Sequence, residues 1–181
     1  TIGIIHGAND LYLVTKSIRT SKKITFTFTF FIYTAFILVM VFALYQKPIV
    51  ALIFFVLISS FHFGEQQWYN KSIISSNSDN IFYFFYGVLL FSILFISNFN
   101  ETQSIINEIS SVVIAKELLY YVLIISTIAL IFLFLRKINS YKNQILFQTL
   151  SLIFISLLFV TNDLFWSFSV YFVLWHSLPS L

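Results

Sequence analysis

Pro48-Ile49-Val50-Ala51-Leu52-Ile53-Phe54-Phe55-Val56-Leu57-Ile58-Ser59-Ser60-Phe61-His62-Phe63-Gly64 is a continuous apolar run long enough to cross a lipid bilayer as a helix. Pro48 suits the first helical turn, where its missing N–H costs nothing. The run closes on a histidine and a glycine, with Glu65-Gln66-Gln67-Trp68 following. A histidine kept inside an apolar segment is expensive, so His62 is a functional candidate whose partners have to be found.

The neighbouring sequence repeats this pattern in both directions. Before it, Lys47 ends a span from about Ile24 to Tyr45; the Thr-Phe alternation at 25–30 imitates a strand, but the uninterrupted length predicts a membrane helix. A basic loop with Lys16, Arg19, Lys22 and Lys23 precedes that span, and residues 1 to about 14 read as the tail of another helix. After Gly64 come a polar loop from Glu65 to Asn80, a span from Ile81 to about Ser97, and an amphipathic stretch from Asn100 to Glu117 expected to lie as an interfacial helix. Leu118 to Leu135 spans again, Arg136, Lys137 and Lys142 form a second basic loop, and Ile145 to Val160 is a short span. Thr161-Asn162-Asp163 then turns the chain into a last segment starting near Leu164. The expected architecture is all-α: one polytopic transmembrane helical bundle over residues 1–181. Because both ends fall inside apolar segments, the chain is expected to be the middle of a longer membrane protein.

Composition narrows the chemistry. The chain is 59% hydrophobic, 20% aromatic and 9% charged, which is too apolar for a water-soluble globule. It has no cysteine, so disulfides are excluded and a bound metal would take imidazole, carboxylate or water ligands. The net charge of +3 is small and sits in short loops, the signature of membrane orientation rather than of a nucleic-acid surface. Alternating sides from the first basic loop gives loops one, three and five Lys16, Arg19, Lys22, Lys23, Lys71, Arg136, Lys137 and Lys142, against Lys47 and Lys116 for the others. Loops one, three and five are therefore expected in the cytoplasm.

The other two histidines are His6, in Ile5-His6-Gly7-Ala8-Asn9-Asp10, and His176, in Tyr171-Phe172-Val173-Leu174-Trp175-His176-Ser177. Under the alternating topology all three fall in the cytoplasmic half of the bilayer, a convergence that follows from charge counting and helix rise alone. Asp10 follows His6 by four residues and Glu65 follows His62 by three, so each carboxylate can share its histidine's helix face and accept the second ring N–H. Gly7 and Gly64 allow close approach beside the histidines. Tyr171 and Trp175 are candidate substrate-lining residues, although tryptophans in such chains more often serve as interface belts or packing. Three neutral imidazoles in a dry aromatic cavity suit a divalent transition metal such as ferrous iron, with positions left open for oxygen and substrate.

These three segments, in this order and at this separation, resemble the signature segments of the Brp/Blh family of β-carotene 15,15′-dioxygenases, over essentially the whole chain. The resemblance implies an iron-dependent, multi-pass enzyme of the bacterial or archaeal inner membrane. Such an enzyme splits β-carotene at its central double bond with O₂ into two retinals, which a rhodopsin accepts as product. Carried over, His6, His62 and His176 are the Fe(2+) ligands, and Asp10 matches the aspartate after the first family histidine. One position departs: the family pattern has a further histidine four residues after the third, where this chain has Ser180. A hydroxyl is a poor ligand for iron, so either the site is completed by water or a carboxylate, or the activity has drifted. Two other classes stay open on the residues alone: a haem-binding membrane electron carrier, which would leave one histidine over, and a transporter or structural membrane protein whose histidines never meet.

Overall fold

The third span, expected at Ile81–Ser97, is the helix on which the others assemble. The computed structural model describes residues 26–68 and 77–177, so His6, Asp10, Ser180, the first basic loop and Lys71 lie outside the described residues. The elements are α1 (Phe26–Gln46), α2 (Pro48–Trp68), α3 (Asn77–Ser97), α4 (Phe99–Ser110), α5 (Lys116–Arg136), the short α6 (Ile138–Tyr141), α7 (Ile145–Thr161) and α8 (Leu164–Val170). A π-helical segment, Tyr171–Ser177, continues α8. Among the described residues there is no strand. The fold is all-α, a helical bundle, and α2, α3 and α5 are long and apolar enough to cross a membrane. The Thr-Phe alternation that imitates a strand is helical from Phe26 onward.

α3 packs against α2, α5, α7 and α8, and its sequence shows why. Phe82, Tyr83, Tyr86, Leu90, Phe91 and Leu94 are all buried along it, too many to occupy one face, so it is covered from several sides. The α2–α3 contact is closer than ordinary side chains permit. A Cβ on Gly64 would fall 1.8 Å from the Tyr83 carbonyl oxygen, and one on Gly87 would fall 1.8 Å from the Ser60 carbonyl oxygen. The expectation that Gly64 lets a neighbouring helix in beside His62 is met by these two backbones. α1, α5 and α7 instead keep large apolar side chains such as Phe42, Ile125 and Phe154 exposed, surfaces suited to lipid.

Cross-bundle bonds show which connections share an end. Lys137 Nζ lies 2.6 Å from Asp79 Oδ1, joining the start of α3 to the end of α5. At the opposite end the Leu164 N–H donates to Glu101 Oε2 at 2.8 Å, and Asn98 Nδ2 donates to the Phe159 carbonyl at 3.1 Å. The alternation read from charge therefore holds for these helices: the third and fifth connections lie together, and the fourth and sixth lie together at the other end.

Three boundaries differ from expectation. α3 begins at Asn77, four residues before the expected Ile81. α2 does not stop at Gly64 but continues through Glu65-Gln66-Gln67-Trp68, because Gln66 and Gln67 find partners inside the bundle. The amphipathic stretch is not one helix to Glu117: α4 ends at Ser110, Ser111 adopts a left-handed conformation with φ 56°, and its N–H closes on the Asn107 carbonyl. The extended residues beyond are held by Gln103, whose Nε2 donates to the Val112 carbonyl at 3.1 Å while its Oε1 accepts from the Ile114 N–H at 2.7 Å.

Candidate functional site

α2 carries His62 two residues before Gly64, so the close α2–α3 contact fixes the ring's depth and leaves it facing the π-helical segment. There it meets His176. The two imidazoles stand edge to face with ring centres 4.9 Å apart. His176 is 3% exposed and is packed by aromatic rings, with centres 4.3 Å from Phe63 and 5.6 Å from Phe172, the latter stacked. The structure thus brings together two of the three histidines singled out in the sequence; the third, His6, lies outside the described residues. Glu65 lies one turn beyond His62 on the same helix, half-buried. Among the described residues no three His, Asp or Glu side chains form a ligand cluster, and His62 and His176 are the pair able to share an ion.

The segment bearing His176 is held by residues that the sequence reading left in a loop. Gln66 Nε2 donates to the His176 carbonyl. Trp175 Nε1 donates to Gln67 Oε1 at 3.0 Å, Gln67 Nε2 donates to Gln148 Oε1 at 2.5 Å, and Gln148 Nε2 returns to the Gln67 carbonyl at 2.7 Å. Trp175, expected to line the substrate, here ties the π-helical segment to α2 and stacks on Phe154 at 5.8 Å. A glutamine inside an apolar helix is expensive in lipid for the same reason as a histidine, and Gln148 in α7 could have been noticed on that ground.

Beyond Trp68 lies a second polar cluster. Asp79, fully buried, binds Lys137 and accepts from the Tyr141 hydroxyl. Burial, and then the Asp79 carboxylate, push the Tyr141 phenol well above its usual range. Trp68 packs edge-on against Tyr141 at 5.4 Å and against Phe82 at 4.9 Å, so this cluster plugs the bundle at the histidine end.

On the other side of the histidines an apolar cavity of about 520 Å³ opens among α2, α3, α4, α5 and α8. Leu52, Val56, Ile105, Leu119 and Leu164 are representative of its wall. Phe91 and Phe168 form its inner end and also line a small void shared with Phe63 and Tyr171. The rings of Phe63, Phe91 and Phe168 lie 5.6 to 6.4 Å apart between centres, a layer one side chain thick between the cavity and His176. Tyr171, the other expected substrate-lining residue, lies in this layer with its ring edge-on to Phe63 at 5.5 Å.

A histidine pair on facing elements, His176 buried and His62 half-buried, screened by aromatic rings from an apolar cavity, is the arrangement to compare with known proteins. The profile of the family described as beta-carotene 15,15'-dioxygenase matches residues 1–181. The chain belongs to that family. No curated protein and no solved structure matches it. Family membership supports a carotenoid dioxygenase activity, and the resemblance seen in the three histidine segments is the resemblance to this family.

Proposed function

We propose that this family member is an iron-dependent membrane dioxygenase that cleaves β-carotene at its central double bond with O₂, giving two retinals. The observation that carries the reading is the position of the His62–His176 pair behind the aromatic layer that closes the inner end of the apolar cavity. Glu101 fixes the outer end beside Leu164, twelve residues before His176, an axial distance of at most about 18 Å, since the π-helical half of that stretch rises less per residue than an α-helix. A carotenoid is about as long as a bilayer's hydrocarbon core is thick, so its half-length is about 15 Å. A terminal ring seated in the outer cavity would bring the middle of the polyene to the histidines, which is where symmetric cleavage requires it.

The donor set fits a divalent metal. His62 and His176 meet with ring centres 4.9 Å apart, and neutral imidazoles are ligands that a divalent transition metal such as ferrous iron takes. His62, His176 and His6 would hold the ion, which supplies binding and activation of dioxygen when bound. Glu65 is available to orient His62 or to complete the ligand set where the family pattern's fourth histidine is Ser180. The chain's own contribution is to align the polyene along the cavity, to part the Phe63–Phe91–Phe168 layer for it, and to keep water from the reacting double bond.

The exposed apolar faces of α1, α5 and α7 support a multi-pass location in the lipid from which the substrate dissolves into the site. Arg136 ends α5 and Lys137 and Lys142 follow it at the histidine end, which supports a cytoplasmic face for that end in an inner membrane. Retinal released there could pass to a rhodopsin. The test is expression of the complete gene in β-carotene-producing cells. Loss of orange colour with accumulation of retinal, dependent on oxygen and iron and abolished by His62→Ala or His176→Ala, is expected. Colour retained with no retinal despite good membrane expression would reject the reading.

A further inference from the structure

We propose that the two halves of the symmetric substrate are bound unequally, one enclosed in the outer cavity and one outside the bundle, so that one retinal stays in the cavity after cleavage while the other departs at once. The inference rests on the proposed carotenoid cleavage and deepens it, making the cavity a product site for a polyene aldehyde of retinal length. Cleavage of one double bond by one O₂ gives two aldehydes, each carrying one of the oxygen atoms, so the two products differ only in where they stand.

Length along the bundle sets the inequality. On the outer side of the histidines, the stretch from Leu164 to His176 gives at most about 18 Å, enough for a half-length of about 15 Å. On the inner side, Trp68 stands six residues after His62 on α2, only about 9 Å further on. Trp68 is buried there against Phe82 and Tyr141, and Gln67, Gln148 and Trp175 bond to one another in the space before it. A straight half-polyene is longer than this space. The inner half therefore turns off the bundle axis at the level of the histidines, toward the lipid from which the substrate came.

Retention of the outer product follows from packing and not from hydrophobicity. Lipid chains are as apolar as the cavity wall, so a polyene prefers one to the other by van der Waals fit. Helices α2, α3, α4, α5 and α8 supply that fit around about 520 Å³, a volume suited to one small ligand. At the inner end the rings of Phe63, Phe91 and Phe168 stand in mutual contact. The layer that a whole polyene must part thus closes behind the aldehyde once the double bond is cut. The other half gains no such enclosure, since it lies against lipid before and after the cut. A retinal left in the cavity also occupies the seat of the next substrate, so it competes with β-carotene.

The first test needs no turnover. Full-length protein in micelles, stripped of metal with a chelator, is titrated with all-trans-retinal, and the retinal that co-elutes is measured. Saturation at one retinal per chain, displaced by β-carotene, is expected. Val122→Trp fills the cavity from α5 and should weaken binding at least tenfold, because the enlarged side chain takes the ligand's place. Saturation at two retinals, binding of none, or undiminished binding by Val122→Trp overturns the proposal. The second test is a single turnover. Iron-loaded protein carrying one β-carotene per chain without oxygen is given oxygen in excess detergent and passed at once through a size-exclusion column. About half of the retinal formed should travel with the protein and the rest with empty micelles. Retinal formed but wholly released, or wholly retained, overturns the unequal halves alone; no retinal formed overturns the dioxygenase reading on which they rest.

Discussion

A side chain of any size on Gly64 would collide with the backbone of Tyr83, since a Cβ there falls 1.8 Å from the Tyr83 carbonyl oxygen. The obstacle is backbone on a neighbouring helix, which cannot swing aside as a side chain can. Gly64→Ala must therefore push α2 away from α3, and His62, two residues earlier on the same turn, moves with it. We expect a loss of about 3 kcal/mol in stability, at the upper end of overpacking effects. Retained iron per protein should fall in parallel. Gly87→Ala meets the Ser60 carbonyl at the same distance and should behave alike. A Gly64→Ala protein with wild-type melting temperature and iron content would show that the two helices are not in such contact.

The buried Asp79 carboxylate and Lys137 should show an asymmetry on mutation. Lys137→Met removes the cation and leaves a fully buried carboxylate with Tyr141 as a remaining donor, an outcome that costs about 3 kcal/mol when a buried pair is broken. Asp79→Asn leaves the ammonium of Lys137, which is about a quarter exposed and can turn to water, so the loss should be smaller. The double variant should recover part of what Lys137→Met loses. Thermal melts of the three proteins in one detergent decide it, and equal melting temperatures for wild type and Lys137→Met would remove the pair from the account of the fold.

The same cluster sets a limit at high pH. Tyr141 sits in short α6, outside the spanning helices, and its phenol is held protonated by burial and by Asp79. An acid whose folded pKa is raised contributes its full stability below the unfolded value of about 10 and loses it as pH rises further, at about 1.4 kcal/mol per unit. The melting temperature should therefore fall between pH 10 and 11, and fall less in Tyr141→Phe, which has no proton to release. An identical slope in both proteins would place the alkaline sensitivity elsewhere.

Much of this was legible in residues, and the failures have physical reasons. The shared depth of His62 and His176 followed from charge asymmetry and helix rise, because both act over whole spans and tolerate errors of a residue or two; the contact of the two rings did not follow from them. The end of α2 was not legible. Glu65-Gln66-Gln67 read as a loop because polar residues after an apolar run usually meet water, whereas here Gln66 and Gln67 bond to the His176 carbonyl, Trp175 and Gln148 across the bundle. Nor does periodicity reveal the π-helical turn at Tyr171–Ser177, which is held by side chains far away in sequence, or the break at Ser111, where Gln103 folds back over the residues that follow. The cavity is a property of how α4 returns onto α2 and α5, and local patterning carries no trace of it.

Gln148 offers the sharpest test of how the histidine pair is held. It is buried in an apolar helix and both of its amide atoms are engaged by Gln67, which in turn accepts from Trp175 next to His176. Gln148→Leu keeps the volume and apolar character that lipid prefers, yet it strips Gln67 of a donor to its carbonyl and of an acceptor for its amide. Two buried groups then lack partners, a loss of about 2 kcal/mol or more. Because Gln67 also anchors Trp175, the π-helical segment loses its register against α2, and the 4.9 Å meeting of His62 and His176 is relaxed. We expect Gln148→Leu to fold, to melt lower, and to hold iron with at least tenfold weaker affinity in a chelator competition, comparable with loss of a residue that orients a ligand. Gln148→Glu, which still accepts from the Gln67 amide, should fall between the two. If Gln148→Leu binds iron as tightly as wild type, the glutamine pair is packing alone and the π-helical segment is positioned by its aromatic contacts with Phe63 and Phe172.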